Sequence, residues 1–221
     1  MDLRAYFPSD PVVDGKATKS ALAALTGPAL LHIATHGFYA RDPDPRTPAI
    51  TATLAVRGMF IKGGLQSPPR PEDPADGLDR AGLALAGANQ GAGGIVTARE
   101  LAGFDWSGTQ LVVLSACETG VGAVPSGDGV YGMRRALVLA GSASQVVSLW
   151  RVSDASTRVL MRDYYRELAS GTGRAEALRQ AKLGLLREPR YAHPYYWAAF
   201  IPAGDWRPLD KSALEQRKPR P

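Results

Sequence analysis

A three-layer α/β/α fold with a mostly parallel central sheet is the architecture this sequence predicts, on three observations. Near-continuous apolar runs of strand length recur along it, as strands covered on both faces require. Amphipathic helical stretches alternate with them, and such alternation implies parallel strands joined by crossover helices. A length of 221 residues suffices for one larger α/β domain with a sizeable core.

The first run is LLHIAT, residues 30–35. Residues 41–99 then break the pattern. RDPDPRTP and KGGLQSPPRPEDPADG read as loops, because Pro and Gly suit neither helix interiors nor central strands. Within this Pro/Gly-rich insertion ATLAVRGMFI and GLALAGA alternate enough for short strands, read as an exposed inserted hairpin. Thr97-Ala98-Arg99-Glu100 has the capping-box spacing and predicts a short helix. LVVLSA, residues 111–116, is the second covered strand. GDGVYGMRRALVLAG puts Val130, Met133, Leu137 and Ala140 on one helical stripe and stops at Gly141. QVVSLW, residues 145–150, is the third strand. Two more helices follow, with Leu160, Tyr164 and Leu168 on one stripe before Gly171, and Leu178, Ala181 and Leu185 on the next. YYWAAFI closes the pattern as a fourth strand, rich in aromatics that favour a pleated surface.

Composition removes several function classes. A single cysteine permits neither an internal disulfide nor a cysteine-rich zinc site. That suits a reducing cytoplasmic setting. No stretch approaches the roughly 18 apolar residues of a membrane span, and MDLRAYFPSDP lacks the basic and apolar regions of a signal peptide. The chain reads as one with no membrane partner. Of the net charge of +5, the last fifteen residues carry +3, so KSALEQRKPRP reads as a solvated tail and the body is not a nucleic-acid binder.

Chemistry gathers at two strand ends. His36 directly follows LLHIAT and precedes Gly37, and Cys117 directly follows LVVLSA and leads into the glycine-rich ETGVGAVPSGDG. In open parallel sheets, functional groups collect beyond the carboxyl ends of strands. Should these strands be neighbours, about 4.8 Å apart, both residues serve one cleft. A thiolate nucleophile with an imidazole acid and base suffices for acyl transfer. The bland reading stays open, since a lone cysteine is often a small buried hydrophobe. His32 stands four residues before His36, but four strand residues span about 13 Å, too far to share a metal ion. It reads as a core residue or a support behind the site. His193 reads as structural, because Pro194 follows it. GVGAVPSGDG lacks both GxGxxG and a P-loop Lys, which weakens a nucleotide-binding reading.

LLHIATHGFY, LVVLSACETGVG, SGDGVYGMRRALVLAGSASQVVSLWRVSD and HPYYWAAFIPAGDW resemble successive blocks of the CHAT domain, a caspase-like and separase-like cysteine peptidase family of clan CD. The resemblance covers roughly residues 15–207, leaving 1–14 as a lead-in and 208–221 as a polar basic tail. It implies a caspase-like fold with Cys117 as nucleophile, His36 as general acid and base, and the backbone N–H groups of Gly37 and Cys117 as oxyanion hole. It calls for no cofactor and no metal. In separase-like and legumain-like relatives, acids after the strand that follows the cysteine helix bind a basic P1 side chain. Asp154 falls at that place, with Leu149 and Trp150 as a wall that would exclude water. Asp154 or Ser153 equally suits a cap of a helix beginning at Ala155, and Asp128 carries the same two readings.

The function implied is a gated cysteine endopeptidase cutting a specific protein substrate in bacterial signalling or defence. A catalytically silent caspase-like interaction module is the alternative. Residues 41–99 and 118–129 are long enough to reorder over the cleft. The family's fold has a first strand and helix before the segment resembling KATKSALAAL, so either this chain is the end of a larger protein or a compact variant tolerates an exposed sheet edge. An upstream sensor or helical-repeat region, in the same or another chain, is the partner implied. No 34-residue repeat occurs here.

Overall fold

A computed structural model describes residues 3–39, 55–56, 59–60, 77–90, 92–115, 117–118 and 128–216. Its strands, in chain order, are β1 (Leu30–Ile33), β2 (His36–Tyr39), β3 (Ala55–Val56), β4 (Met59–Phe60), β5 (Ala81–Ala84), β6 (Ile95–Thr97), β7 (Leu111–Leu114), β8 (Cys117–Glu118), β9 (Ser144–Ser148) and β10 (Phe200–Gly204). The helices are α1 (Lys19–Ala23), α2 (Gly77–Arg80), α3 (Ala98–Ala102), α4 (Asp128–Leu139), α5 (Asp154–Ala169), α6 (Arg174–Arg187) and α7 (Lys211–Gln216).

The main sheet runs β1-β7-β9-β10, with β1, β7 and β9 parallel and β10 antiparallel to β9. β7 and β9 are buried along their whole length, which is why their sequences are unbroken apolar runs. Their side chains divide between two layers. Leu111 and Val113 enter a core with Leu160, Tyr164, Tyr165 and Leu168 of α5 and Leu178 and Leu185 of α6. Val112 and Leu114 enter the opposite core with Leu101 of α3 and Met133 and Leu137 of α4. Each such side chain, fully buried, contributes roughly 1.5–3 kcal/mol of transfer free energy. Sheet alternation alone thus generates the three layers. β1 is an edge strand of this sheet, and no described strand lies on its outer side.

Local signals explain the helix ends. Thr97 and Glu100 form both bonds of the expected capping box at α3. After α4 the chain turns at Gly141 with φ +103°, where an added Cβ would sit 2.9 Å from the Ser107 nitrogen. That is both a left-handed conformation and a close approach, and only glycine meets both.

Three expectations differ from the structure. GLALAGA is not part of an exposed hairpin: β5 is wholly buried and joins a second sheet, β6-β5-β2-β8, while β3 and β4 pair with each other inside ATLAVRGMFI. The strand expected at YYWAAFI begins only at Phe200, because Pro194 starts a 3-10 turn through Tyr196 that His193 caps by accepting from the Tyr195 N–H. The end of the chain is not wholly solvated. Leu209 is buried, Leu214 of α7 packs on the core, and the Gln110 amide bonds both the N–H and the C=O of Asp210. Phe7, in the stretch read as a lead-in, is buried in the same core.

The second sheet holds a sharp test of packing. A Cβ on Gly82 would lie 2.5 Å from the buried Phe38 ring and 2.8 Å from the Val96 carbonyl oxygen. Gly82→Ala is therefore expected to lower stability by about 1–3 kcal/mol through overpacking, read as an earlier midpoint in urea unfolding. An unchanged midpoint would contradict this packing.

Candidate active site

Two strand pairs build the site with one register. β1 and β7 pair in parallel from Leu30↔Leu111 to Ile33↔Leu114, and the Ser115 N–H extends the ladder by donating to the Ile33 carbonyl at 2.9 Å. β2 and β8 then pair in parallel with His36↔Cys117 and Gly37↔Glu118. The offset is 81 residues in both pairs. Both strands therefore pass from the first sheet into the second without losing step, and the backbones of His36 and Cys117 end side by side, about 4.8 Å apart by strand spacing. The expected neighbourhood of the two strand ends is what the structure contains.

The rest of β2 is firmly held. β5 pairs with it on the other side, His36 opposite Ala84 and Gly37 opposite Leu83. Phe38 packs with Ala84, Ala88 and Ile95, and the Thr35 hydroxyl donates to the Ala84 carbonyl just before the strand begins. His36 itself is exposed, whereas Gly37 is buried between its two neighbouring strands. An accessible imidazole on a rigid strand suits acid and base work. The Cys117 side chain, residues 119–127 and the side chain of Asp128 lie outside the described residues, as does most of 41–76. The segments expected to reorder over the cleft fall largely there.

His32 plays a different part. Its Nε2 is 3.0 Å from the Ser115 hydroxyl and its Nδ1 is 2.9 Å from the Tyr165 hydroxyl. Burial lowers its pKa from 6.5 to about 4, so it is a neutral imidazole near pH 7. Tyr165 is fully buried, and burial raises its phenol well above the usual value. The reading of His32 as a core or supporting residue agrees with this. Ser115 and Tyr165 were not singled out in the sequence. A hydroxyl two residues before the cysteine was the available signal for Ser115, but Tyr165 shows only as one more aromatic in a helical stripe.

The expected P1 wall is wetter than its sequence suggests. Asp154 is exposed in the first turn of α5, Trp150 is exposed with its indole N–H donating to the Tyr195 carbonyl, and Leu149 is half-buried. The helix starts at Asp154 rather than Ala155. Ser153 is its N-cap but makes no side-chain cap bond, so neither residue is a hydrogen-bonded cap. A carboxylate at this position still faces the positive end of the helix dipole.

No helix among the described residues is long and apolar enough to cross a membrane. The CHAT domain family profile matches residues 4–205. Among curated proteins, the chain is 26% identical over 195 residues to human tetratricopeptide repeat protein 28, covering 88% of this chain and 8% of that one. The mouse protein of the same name is 26% identical over 197 residues, with the same shares covered. The chain thus spans less than a tenth of the length of these relatives.

Proposed function

The chain belongs to the CHAT domain family, a caspase-like family of clan CD, and from that premise we propose that it is a cysteine endopeptidase acting on a specific protein partner. The observation that carries the reading is the pairing of His36 with Cys117 on adjacent parallel strands. The Cys117 sulfur attacks the scissile carbonyl carbon as the C–S bond forms, and the thiol proton passes through the His36 imidazole to the leaving amine as the C–N bond breaks. Water, deprotonated by the same imidazole, then cleaves the thioester, releases the acid and returns the proton to sulfur. The backbone N–H groups of Gly37 and Cys117 are the proposed oxyanion donors, each contributing about 3 kcal/mol to the transition state.

Asp154 is the proposed P1 selector, favouring Arg or Lys. Because it is exposed, its preference is screened and modest, of the order of 1 kcal/mol rather than several. The curated relatives are tetratricopeptide repeat proteins by name, which favours a helical-repeat region as partner and gate of this domain.

The test is the profile of new protein N-termini formed in a cell lysate by the wild-type chain and by Cys117→Ala. A small set of cuts after Arg or Lys, present only with wild type, is expected. In Asp154→Asn the basic preference should fall about fivefold, as loss of a screened ion pair implies. Identical N-termini with wild type and Cys117→Ala would favour the silent interaction module, and cuts after Asp or apolar residues would remove Asp154 from substrate selection.

A further inference from the structure

We infer that His32 is a positioning residue for this site: bridged between the Tyr165 and Ser115 hydroxyls, it ties α5 to the end of β7 and so sets the place of the Cys117 backbone beside His36. The inference rests on the peptidase reading above. Its geometry is independent of that reading.

His32 lies on β1 four residues before His36, and Ser115 lies two residues before Cys117. The bridge therefore crosses between the two strands just where both leave the first sheet for the second. Its outer end is rigid. Tyr165 is fully buried, with the Phe7 ring edge-on at 6.3 Å and the Tyr164 ring at 5.5 Å, and its own ring lies 5.8 Å from that of His32 at a 31° tilt. The chemistry fits the place. Neutral imidazole carries one donor and one acceptor nitrogen on opposite sides, so it bridges two hydroxyls where an apolar ring would leave both unpaired. Held neutral by burial, His32 does not compete with exposed His36 for the proton of the reaction. A shift of even a fraction of an ångström at Ser115 passes through two residues to the nucleophile, and catalytic geometry is sensitive on that scale.

The test is the pH dependence of Cys117 alkylation by iodoacetamide, in the full chain, for wild type, His36→Ala, Tyr165→Phe, Ser115→Ala, Ser115→Thr and His32→Phe. Wild type is expected to titrate below the free-thiol value of about 8.5, and His36→Ala to move it upward. Tyr165→Phe and Ser115→Ala should move the profile upward and slow alkylation at pH 7 by at least about twofold, as loss of part of the thiolate population implies. Their unfolding should stay cooperative, and Ser115→Thr should restore the wild-type profile. His32→Phe should match or exceed the hydroxyl variants. Where it does not fold, the hydroxyl variants decide. If His36→Ala moves the profile while Tyr165→Phe and Ser115→Ala leave it in place, the positioning role is overturned and the peptidase reading stands. A wild-type profile equal to that of free cysteine overturns the peptidase reading and this inference with it.

Discussion

Turnover of a peptide carrying a confirmed cut site is expected to disappear in Cys117→Ala and to fall at least about 10²-fold in His36→Ala, with the fold intact in both. The two effects differ in origin. Without sulfur no thioester forms, so the covalent route is closed. Without the imidazole the sulfur remains, but the proton must reach the leaving amine through water, at the full cost of an uncatalysed transfer. His36 is exposed, so removing its ring opens no core cavity, and the midpoint of thermal unfolding should stay within a few degrees of wild type. Kinetics and calorimetry on the same preparations check both halves. Loss of the folded state in His36→Ala would make the residue structural.

Stability should also fall on acidification through His32. Its folded pKa of about 4 lies below the unfolded value of 6.5, so the unfolded chain binds the extra proton between those values. The stabilisation is fully present above pH 6.5 and is lost as the pH falls toward 4. The loss is about 3 kcal/mol, of the order of 1.4 kcal/mol per pH unit of separation. His32→Gln keeps an amide able to bond one hydroxyl but has nothing to titrate there. Urea unfolding at several pH values from 7 to 4 should show a steeper decline for wild type than for His32→Gln, and the difference isolates this residue. Equal slopes would mean that the ring of His32 is protonated as readily folded as unfolded. Carboxylates such as Asp205, held to about 2 by hydrogen bonds from Arg207, are lost at lower pH and act equally in both proteins.

How far the sequence disclosed this arrangement follows from which physical constraint each segment obeys. β7 and β9 are covered on both faces, so they had to be apolar throughout and were legible. The α3 capping box and the turn at Gly141 are local rules written in adjacent residues. The second sheet obeys no such rule. β8 is two residues long, and β5 is Ala-Gly-Leu-Ala, where Gly82 makes room for Phe38 and little apolar mass marks a buried strand. The wall of Leu149 and Trp150 beside Asp154 is read from neighbours in sequence, but Trp150 donates its indole N–H to the Tyr195 carbonyl, and Asp154 is exposed. For the site itself, the separation of His36 and Cys117 had no meaning until β1 and β7 were seen paired at the same offset of 81. Tyr165 joins His32 across 133 residues, a contact that no local pattern encodes.

Cys117 is proposed as an activated nucleophile, and its reactivity measures this without any known substrate. The chain has one cysteine, so the mass added by iodoacetamide reports that site alone. At pH 7.5 the wild-type rate constant is expected to exceed that of free cysteine severalfold, up to about tenfold, because a thiolate held beside an imidazolium is largely populated where a free thiol is only about a tenth ionised. A rate no faster than that of free cysteine would mean that Cys117 is not an activated nucleophile.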